Sequence, residues 1–214
     1  MTLLAIDTTG PDCAVALRVD GRPDHVLCER IGRGHAERLA PMVQQILADA
    51  GVTPGALTRI GVTIGPGSFA GTRVGTAFAR GLALATGAVA IGIGNLAVIA
   101  RQLHDVRPLA VLHDAKSGEV ILLVWTGPDA SGPQRLTVEA VPAHLDTLGL
   151  DGLVLAGSGA ALVDPAGASV RDITELDLHA LLDLVAEADP AQAPSSPFYA
   201  RPPDAKLPGG VEPV

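Results

Sequence analysis

The sequence predicts an α/β fold made of two similar halves. Each half opens with a buried strand that ends in an aspartate, Asp7 in the first and Asp114 in the second, and a polar turn and a hairpin strand follow. A Gly-rich turn at 65–75 lies between an apolar strand at 60–64 and apolar residues at helical spacing. Strands that alternate with helices in this way are typical of domains in which helices cover a sheet.

In the first half, strands are predicted at 3–6, 13–19, 25–31, 60–64 and 88–93. Helices are predicted from His35 to about residue 50, from Ser68 onward and at 95–103, because apolar residues recur there every three or four positions. The second half repeats the pattern with strands at 109–114, 119–125, 135–141 and 153–156 and a short helix at 143–148. We expect a helix around 178–185 to close this half and a Pro-rich tail to follow.

Two aspartate-bearing hairpin turns in a repeated β-β-β-α-β-α order indicate the two-lobed actin-like ATPase architecture (the ASKHA, ribonuclease H-like fold). We expect an N-terminal lobe over 1–103 and an acidic C-terminal lobe over 104–214. In that plan a nucleotide lies between the lobes. The residues predicted as remnants of its phosphate and adenosine loops are Asp7, Thr8, Thr9, Gly65, Gly67, Ser68, Asp114, Gly157 and Gly159. Asp7 and Asp114 could hold hydrated Mg²⁺, whereas the structural alternative is that Asp7 caps its own turn.

Composition narrows the functional classes. Up to Arg101 there are 9 Lys and Arg against 7 Asp and Glu, and from Gln102 onward there are 6 against 16, within a net charge of −8. With few aromatic side chains and no basic stripe, the isolated chain should bind nucleic acid poorly.

Cys13 and Cys28 lie in strand-like runs, which favours reduced thiols in a cytoplasmic protein. The uncharged run 81–100 is rich in glycine and changes period, so we expect no membrane span there. The N-terminus lacks a basic region followed by an apolar run and a cleavage site, so we expect no signal peptide.

Several classes of active site lack their sequence signal. The sequence has no P-loop motif, no histidine pair at helical spacing and no Cys-x-x-Cys, and neither Ser68 nor Ser158 lies in a Gly-x-Ser-x-Gly elbow. We therefore expect no catalytic residue, no metal site and no cofactor that belongs to this chain alone.

Two helices of the first lobe have faces that suit either a core or an interface. Gly71, Gly75 and Ala79 recur every four residues, so one side of their helix is almost bare and predicts close contact with another element. The helix from His35 has a broad apolar stripe. The sequence leaves open whether these faces pack within the lobe or against a second protein molecule. The candidate interface residues are His35, Leu39, Met42, Val43, Ile46, Gly71, Arg73, Val74, Gly75 and Phe78.

Motifs along the whole chain resemble one bacterial family. They are Leu-Ala-Ile-Asp-Thr-Thr at 4–9, His-Ala-Glu-Arg-Leu-Ala-Pro at 35–41, Gly-Pro-Gly-Ser-Phe-Ala-Gly-Thr-Arg-Val-Gly at 65–75, Asp-Ala-Lys-Ser-Gly-Glu-Val at 114–120 and Tyr-Ala-Arg at 199–201. The chain resembles the tRNA threonylcarbamoyladenosine biosynthesis proteins of the TsaB (YeaZ) family. The motif at 65–75 is the most specific, although Ala70 stands where that family has threonine.

The resemblance implies a non-catalytic scaffold or activating subunit of the complex that installs threonylcarbamoyl on the adenosine beside the tRNA anticodon. It implies a catalytic partner, TsaD, and an ATPase partner, TsaE. It also implies pairing through first-lobe helices, with TsaD or with a second copy of the chain. Contact with tRNA would then occur only through the complex, and ATP and Mg²⁺ would belong to the assembly.

In TsaD, metal-binding histidines follow the strand equivalent to 88–93, and by position they would fall near Asn95 and Ile99 here. The alternative function is a stand-alone actin-like ATPase or phosphotransferase that uses Asp7, the Gly-rich turn and Asp114. A metallopeptidase, the third possibility, would lack its histidine pair. Whether the cleft binds nucleotide, and whether the chain pairs with itself or with another protein, stay open at this level.

Overall fold

A computed structural model describes residues 1–163 and 167–199. The first half contains β1 (Thr2–Asp7), β2 (Asp12–Val19), β3 (His25–Arg30), α1 (His35–Asp49), β4 (Arg59–Thr63), α2 (Phe69–Thr86), β5 (Val89–Ile93) and α3 (Asn95–Gln102). The second half contains β6 (Leu109–Lys116), β7 (Glu119–Trp125), β8 (Gln134–Thr137), α4 (Val141–Thr147), β9 (Val154–Ala156), β10 (Ser169–Arg171) and α5 (Leu178–Glu187).

The two five-stranded sheets have the same strand order and the same strand directions. The first sheet has the order β3-β2-β1-β4-β5, and the second has the equivalent order β8-β7-β6-β9-β10. In both, the first strand is antiparallel to the next strand in sequence and parallel to the fourth. This repetition confirms the predicted duplication and the two-lobed actin-like α/β fold.

Helices and sheets alternate in layers. Helices α1 and α2 cover one face of the first sheet, and α5 covers its other face. Helix α3 packs on the second sheet, whose far face is covered by α4. The predicted lobe boundary after residue 103 falls in the connection between α3 and β6.

The prediction that α5 closes the second lobe is wrong. Its buried residues Leu178, Leu181 and Val185 belong to the cluster that packs on β1, β2 and β5 of the first sheet. A Cβ atom at Gly61 of β4 would lie 2.0 Å from Cγ2 of Val185. Helix α5 therefore packs directly on the first sheet. An apolar stripe shows that a helix packs on something, but its period does not say on which of two sheets.

The second lobe differs from the prediction in detail. The strand predicted at 135–141 ends at Thr137, and a 3-10 turn, Val138–Ala140, leads into α4. Pro142 lies in the first turn of α4, where its fixed φ angle and missing N–H are tolerated. A short 3-10 helix, Ala160–Leu162, occupies the chain position that α2 has in the first lobe. The exposed strand β10 had no apolar alternation and was not predicted.

The uncharged run 81–100 divides into the end of α2, strand β5 and helix α3, as predicted. In the part of the chain that the structure describes, no helix combines the length and the hydropathy of a transmembrane segment.

Candidate functional site

A cleft of about 280 Å³ lies between the two lobes. Its lining includes Asp7, Thr9 and Gly67, which the sequence pattern had singled out. It also includes residues that sequence reasoning had not selected as ligand-contacting groups, namely Asp12, Arg30, Asn95, His113, Ser158 and Glu175. Six of the predicted nucleotide residues are absent from this lining, namely Thr8, Gly65 and Ser68 of the first lobe and Asp114, Gly157 and Gly159 of the second.

The carboxylate of Asp7 is held by its own lobe. Asp7 is only 6% exposed. Its Oδ1 accepts hydrogen bonds from the backbone N–H of Thr9 at 3.0 Å, from the Thr9 hydroxyl at 2.7 Å and from the Thr63 hydroxyl at 2.6 Å. Such hydrogen bonds offset the cost of burying a charged group. The contacts match the structural alternative, in which this aspartate caps the turn after β1.

The side-chain amide of Asn95 joins three segments around the cleft. Its Nδ2 donates to the Thr9 hydroxyl at 2.7 Å and to the carbonyl of Pro66 at 3.1 Å, and its Oδ1 accepts from the N–H of Gly65 at 3.1 Å. Asn95 thereby ties the turn after β1, the Gly-rich turn and the start of α3 together. The resemblance places a metal-binding histidine of TsaD at this position. Here the position holds an amide whose nitrogen and oxygen both form hydrogen bonds within the fold.

The Gly-rich turn packs closely on the turn after β1. A Cβ atom at Gly71 would lie 1.9 Å from the carbonyl oxygen of Thr8, and one at Gly75 would lie 2.5 Å from the Thr8 hydroxyl. The N–H of Ser68 donates to the carbonyl of Thr9 at 2.7 Å, and the Thr8 hydroxyl donates to the carbonyl of Gly71 at 2.7 Å. These glycines therefore allow close contact within the lobe, which decides the alternative that the sequence left open.

On the second-lobe side, Asp114 turns toward its own hairpin. Its Oδ1 accepts from the N–H of Lys116 at 2.8 Å, and hydrogen bonding by Lys116 lowers the pKa of this carboxyl. His113 lies 3.4 Å from the Ser158 hydroxyl, measured from its Nδ1, and burial lowers the pKa of its imidazole. Among residues 1–163 and 167–199, no cluster of three His, Cys, Asp or Glu side chains could hold a metal ion.

The glycines of the second Gly-rich turn also have structural roles. A Cβ atom at Gly157 would lie 2.4 Å from the carbonyl oxygen of Leu112, and one at Gly159 would lie 3.0 Å from Val120. Their N–H groups donate to the carbonyls of Ile173 and Leu112. The second Gly-rich turn therefore packs against the sheet of its own lobe.

Most of the candidate interface residues are buried within the chain. The buried ones are His35, Leu39, Met42, Val43, Ile46, Gly71 and Gly75. His35 Nε2 lies 3.2 Å from the carbonyl oxygen of Asp12, which is a contact with a loop. Of the set, Arg73 is exposed, and Val74 and Phe78 are half-buried. The sheet binds the more apolar face of each helix, so residues chosen for apolar spacing lie in the core.

The opposite side of α2 is exposed, and its charged residues are Arg73 and Arg80. We define the outer face of α2 by five exposed residues, Ala70, Arg73, Ala77, Gly81 and Leu84. Leu84 is 89% exposed, and a Cβ atom at Gly81 would meet nothing within 4 Å. A helix face with small and apolar residues pointing to solvent is typical of a surface that another helix covers.

The fold and the sequence of the chain match those of known proteins. A crystal structure described as an uncharacterized protein with similarity to peptidase YeaZ, from Pseudomonas aeruginosa, is 30% identical, has a TM-score of 0.76, and is matched over 94% of this chain and 99% of that one. The chain belongs to the TsaB/YeaZ family. The family model for TsaD, tRNA N6-adenosine threonylcarbamoyltransferase, also matches residues 22–134, just over half of the chain.

Two relatives of the TsaB/YeaZ family carry functional names. The tRNA threonylcarbamoyladenosine biosynthesis protein TsaB of Escherichia coli (strain K12) is 40% identical over 56% of this chain and 53% of its own length. The protein of that name from Haemophilus influenzae is 37% identical over 56% of this chain and 52% of its own length. The matched region thus spans about half the length of these named relatives.

Proposed function

We propose that the chain is a non-catalytic scaffold or activating subunit in the biosynthesis of threonylcarbamoyladenosine in tRNA. Its partners are a TsaD-type catalytic subunit and a TsaE-type ATPase, and tRNA is reached through the assembled complex. Support comes from membership of the TsaB/YeaZ family and from the names of the two relatives. The ATP and Mg²⁺ of the reaction belong to the assembly, and the chain acts in the cytoplasm.

The cleft supports a role without chemistry of its own. Oδ1 of Asp7 accepts hydrogen bonds from three donors within the lobe, so this oxygen has a structural role. In the Gly-rich turn, the N–H groups of Gly65 and Ser68 donate to Asn95 and to Thr9. These N–H groups, which could otherwise bind a phosphate, thus hold the turn to its own lobe.

The outer face of α2 is the observation that carries the proposal. It is exposed over 70–84, its opposite side is fixed on the sheet, and Gly81 leaves open space for a second helix to approach. A partner helix from the TsaD-type subunit, or from a second copy of the chain, would cover this surface.

Binding to the TsaD-type subunit from the same genome tests the proposal. Gly81→Glu places a charge in the middle of the outer face, so we expect its affinity to fall by at least about tenfold, or about 1.4 kcal/mol, by calorimetric titration. Ala143→Glu is the matched control, because Ala143 is an exposed residue of the second-lobe helix α4. Both variants should melt at or above the wild-type temperature.

Activity gives the second readout. The isolated chain should transfer no threonylcarbamoyl and hydrolyse no ATP, whereas adding it to the two partner subunits should raise transfer to tRNA. Steady ATP turnover by the isolated chain that Asp7→Asn abolishes would instead establish the stand-alone ATPase.

A further inference from the structure

We propose that Arg73, which lies over the Phe69 ring and is hydrogen-bonded to Tyr199, is the anchor of the outer face of α2 and binds a carboxylate on an acidic side chain of the partner's helix. The inference rests on the proposed function, because it names the chemistry of the partner that docks on this face. It also assigns the C-terminal tail to the docking surface.

Contacts with the Phe69 ring and the Tyr199 hydroxyl restrict the orientation of the Arg73 guanidinium. The guanidinium carbon lies 3.9 Å from the ring centroid of Phe69 and 5.7 Å from that of Tyr199. Nε donates a hydrogen bond to the Tyr199 hydroxyl at 2.9 Å, and the two ring centroids are 5.1 Å apart. Phe69 is nevertheless 48% exposed, so the cluster lies at the surface.

The terminal amino groups of Arg73 face no acceptor in the described part of the chain. Its only hydrogen bond to residues 1–163 and 167–199 uses Nε, and it forms no ion pair with them. A free arginine loses rotamer freedom when it is fixed in a complex. The contacts with Phe69 and Tyr199 have already removed part of that freedom, so Arg73 is preorganised for a ligand.

Two features indicate that the ligand is a carboxylate on an apolar helix. The two terminal amino groups of a guanidinium match the two oxygens of a carboxylate in a bidentate pair. Helix α2 carries Arg73 and Arg80 and no acidic residue, so it attracts an acidic partner. A phosphate has suitable oxygens too, but the exposed apolar residues Ala77 and Leu84 on the same side of α2 suit a protein helix better than a polynucleotide.

The tail that supplies Tyr199 is fixed on the first lobe by main-chain contacts. The N–H of Phe198 donates to the carbonyl of Ile64 at 2.7 Å, and the N–H of Gly92 donates to the carbonyl of Ala193 at 3.0 Å. The sequence has one Tyr, one Trp and three Phe, and two of these five rings meet around Arg73. Tyrosine and arginine are the residues most enriched at binding hot spots.

Affinity for the TsaD-type subunit tests the inference with the full chain. Arg73→Lys keeps the charge and loses the planar fork, so we expect about tenfold weaker binding. Tyr199→Phe keeps a ring beside Arg73 and removes the hydrogen-bond acceptor, so we expect a smaller loss of a few-fold. Arg80→Lys is the control, because Arg80 is exposed on the same side of α2 seven residues later and has no ring contact or hydrogen bond with the described residues.

Cross-linking can identify the carboxylate. The sequence has only two lysines, Lys116 and Lys206, so an amine introduced by Arg73→Lys can be distinguished from the others by mass spectrometry. A carbodiimide should couple this amine to an aspartate or glutamate of the partner's docked helix. Arg80→Lys should give little of that product.

The outcomes separate the two proposals. If Gly81→Glu abolishes binding while Arg73→Lys and Tyr199→Phe bind like the wild type, the anchor is refuted and the proposed function stands. If the wild type does not bind the TsaD-type subunit, both are refuted. If Arg73→Lys weakens only the retention of tRNA by the assembled complex, the arginine contacts phosphate and the carboxylate assignment is wrong.

Discussion

Two glycines of one helix, ten residues apart, face opposite surroundings. A side chain at Gly71 would meet the main-chain carbonyl of Thr8 at 1.9 Å, whereas one at Gly81 would point into open space. We expect Gly71→Ala to lower the free energy of unfolding by about 1–3 kcal/mol through overpacking. Gly81→Ala, the same change on the same helix, should raise it by up to about 1 kcal/mol through helix propensity. Urea denaturation of both variants measures these values, and equal effects would contradict the two environments.

At the scale of elements, the position of α5 on the first sheet depends on two arginines. Arg59 donates to the carbonyls of Val185 and Ala188 at the end of α5, at 2.9 and 2.8 Å. Arg18 forms two hydrogen bonds with Asp24, at 2.9 and 2.7 Å, and a third with Asp183 of α5 at 2.7 Å. Arg59 is a cation at the C-terminus of α5, where it joins this helix to β4. The ion pair between Arg18 and Asp183 joins the same helix to β2.

The ion pair between Arg18 and Asp24 should make the stability of the protein depend on pH. The hydrogen bond from Arg18 lowers the pKa of Asp24 below its ordinary value of 3.8. A carboxyl whose pKa is lower in the folded state stabilises the protein above its unfolded pKa, and that contribution is lost as the pH falls through the folded pKa. Thermal melting from pH 7 to below about pH 4 should therefore show a steeper loss of stability for the wild type than for Arg18→Gln. Arg22→Gln, in which the lost bond is to the carbonyl of Ala50, should keep the wild-type slope.

At the scale of the whole molecule, charge predicts weak binding to tRNA. The net charge is −8, and the excess of acidic residues lies from Gln102 onward. Because phosphate contacts by Lys and Arg dominate affinity for nucleic acids, the isolated chain should bind tRNA with a Kd above about 1 µM at physiological salt. A gel-shift titration tests this, with the assembled complex as the positive control. Submicromolar binding by the isolated chain would contradict the proposal that tRNA is reached through partners.

The sequence by itself determined the family, the duplicated fold and the positions of most strands and helices. These properties are encoded locally, in the motif at 65–75, in the strands that end at Asp7 and Asp114, and in apolar periodicity. Two residues of the closing Tyr-Ala-Arg motif, Ala200 and Arg201, lie outside the described part of the chain.

Only the tertiary structure decided what the packed face of each helix contacts, and on which sheet it lies. Periodicity identified Gly71 and Leu39 as residues of a packed face, but it could not distinguish the chain's own core from a partner. It also could not show that Asn95 contacts Thr9, that α5 returns to the first sheet, or that Tyr199 reaches Arg73. Each of these contacts joins residues far apart in the chain, and their positions in space are set by the packing of the complete fold.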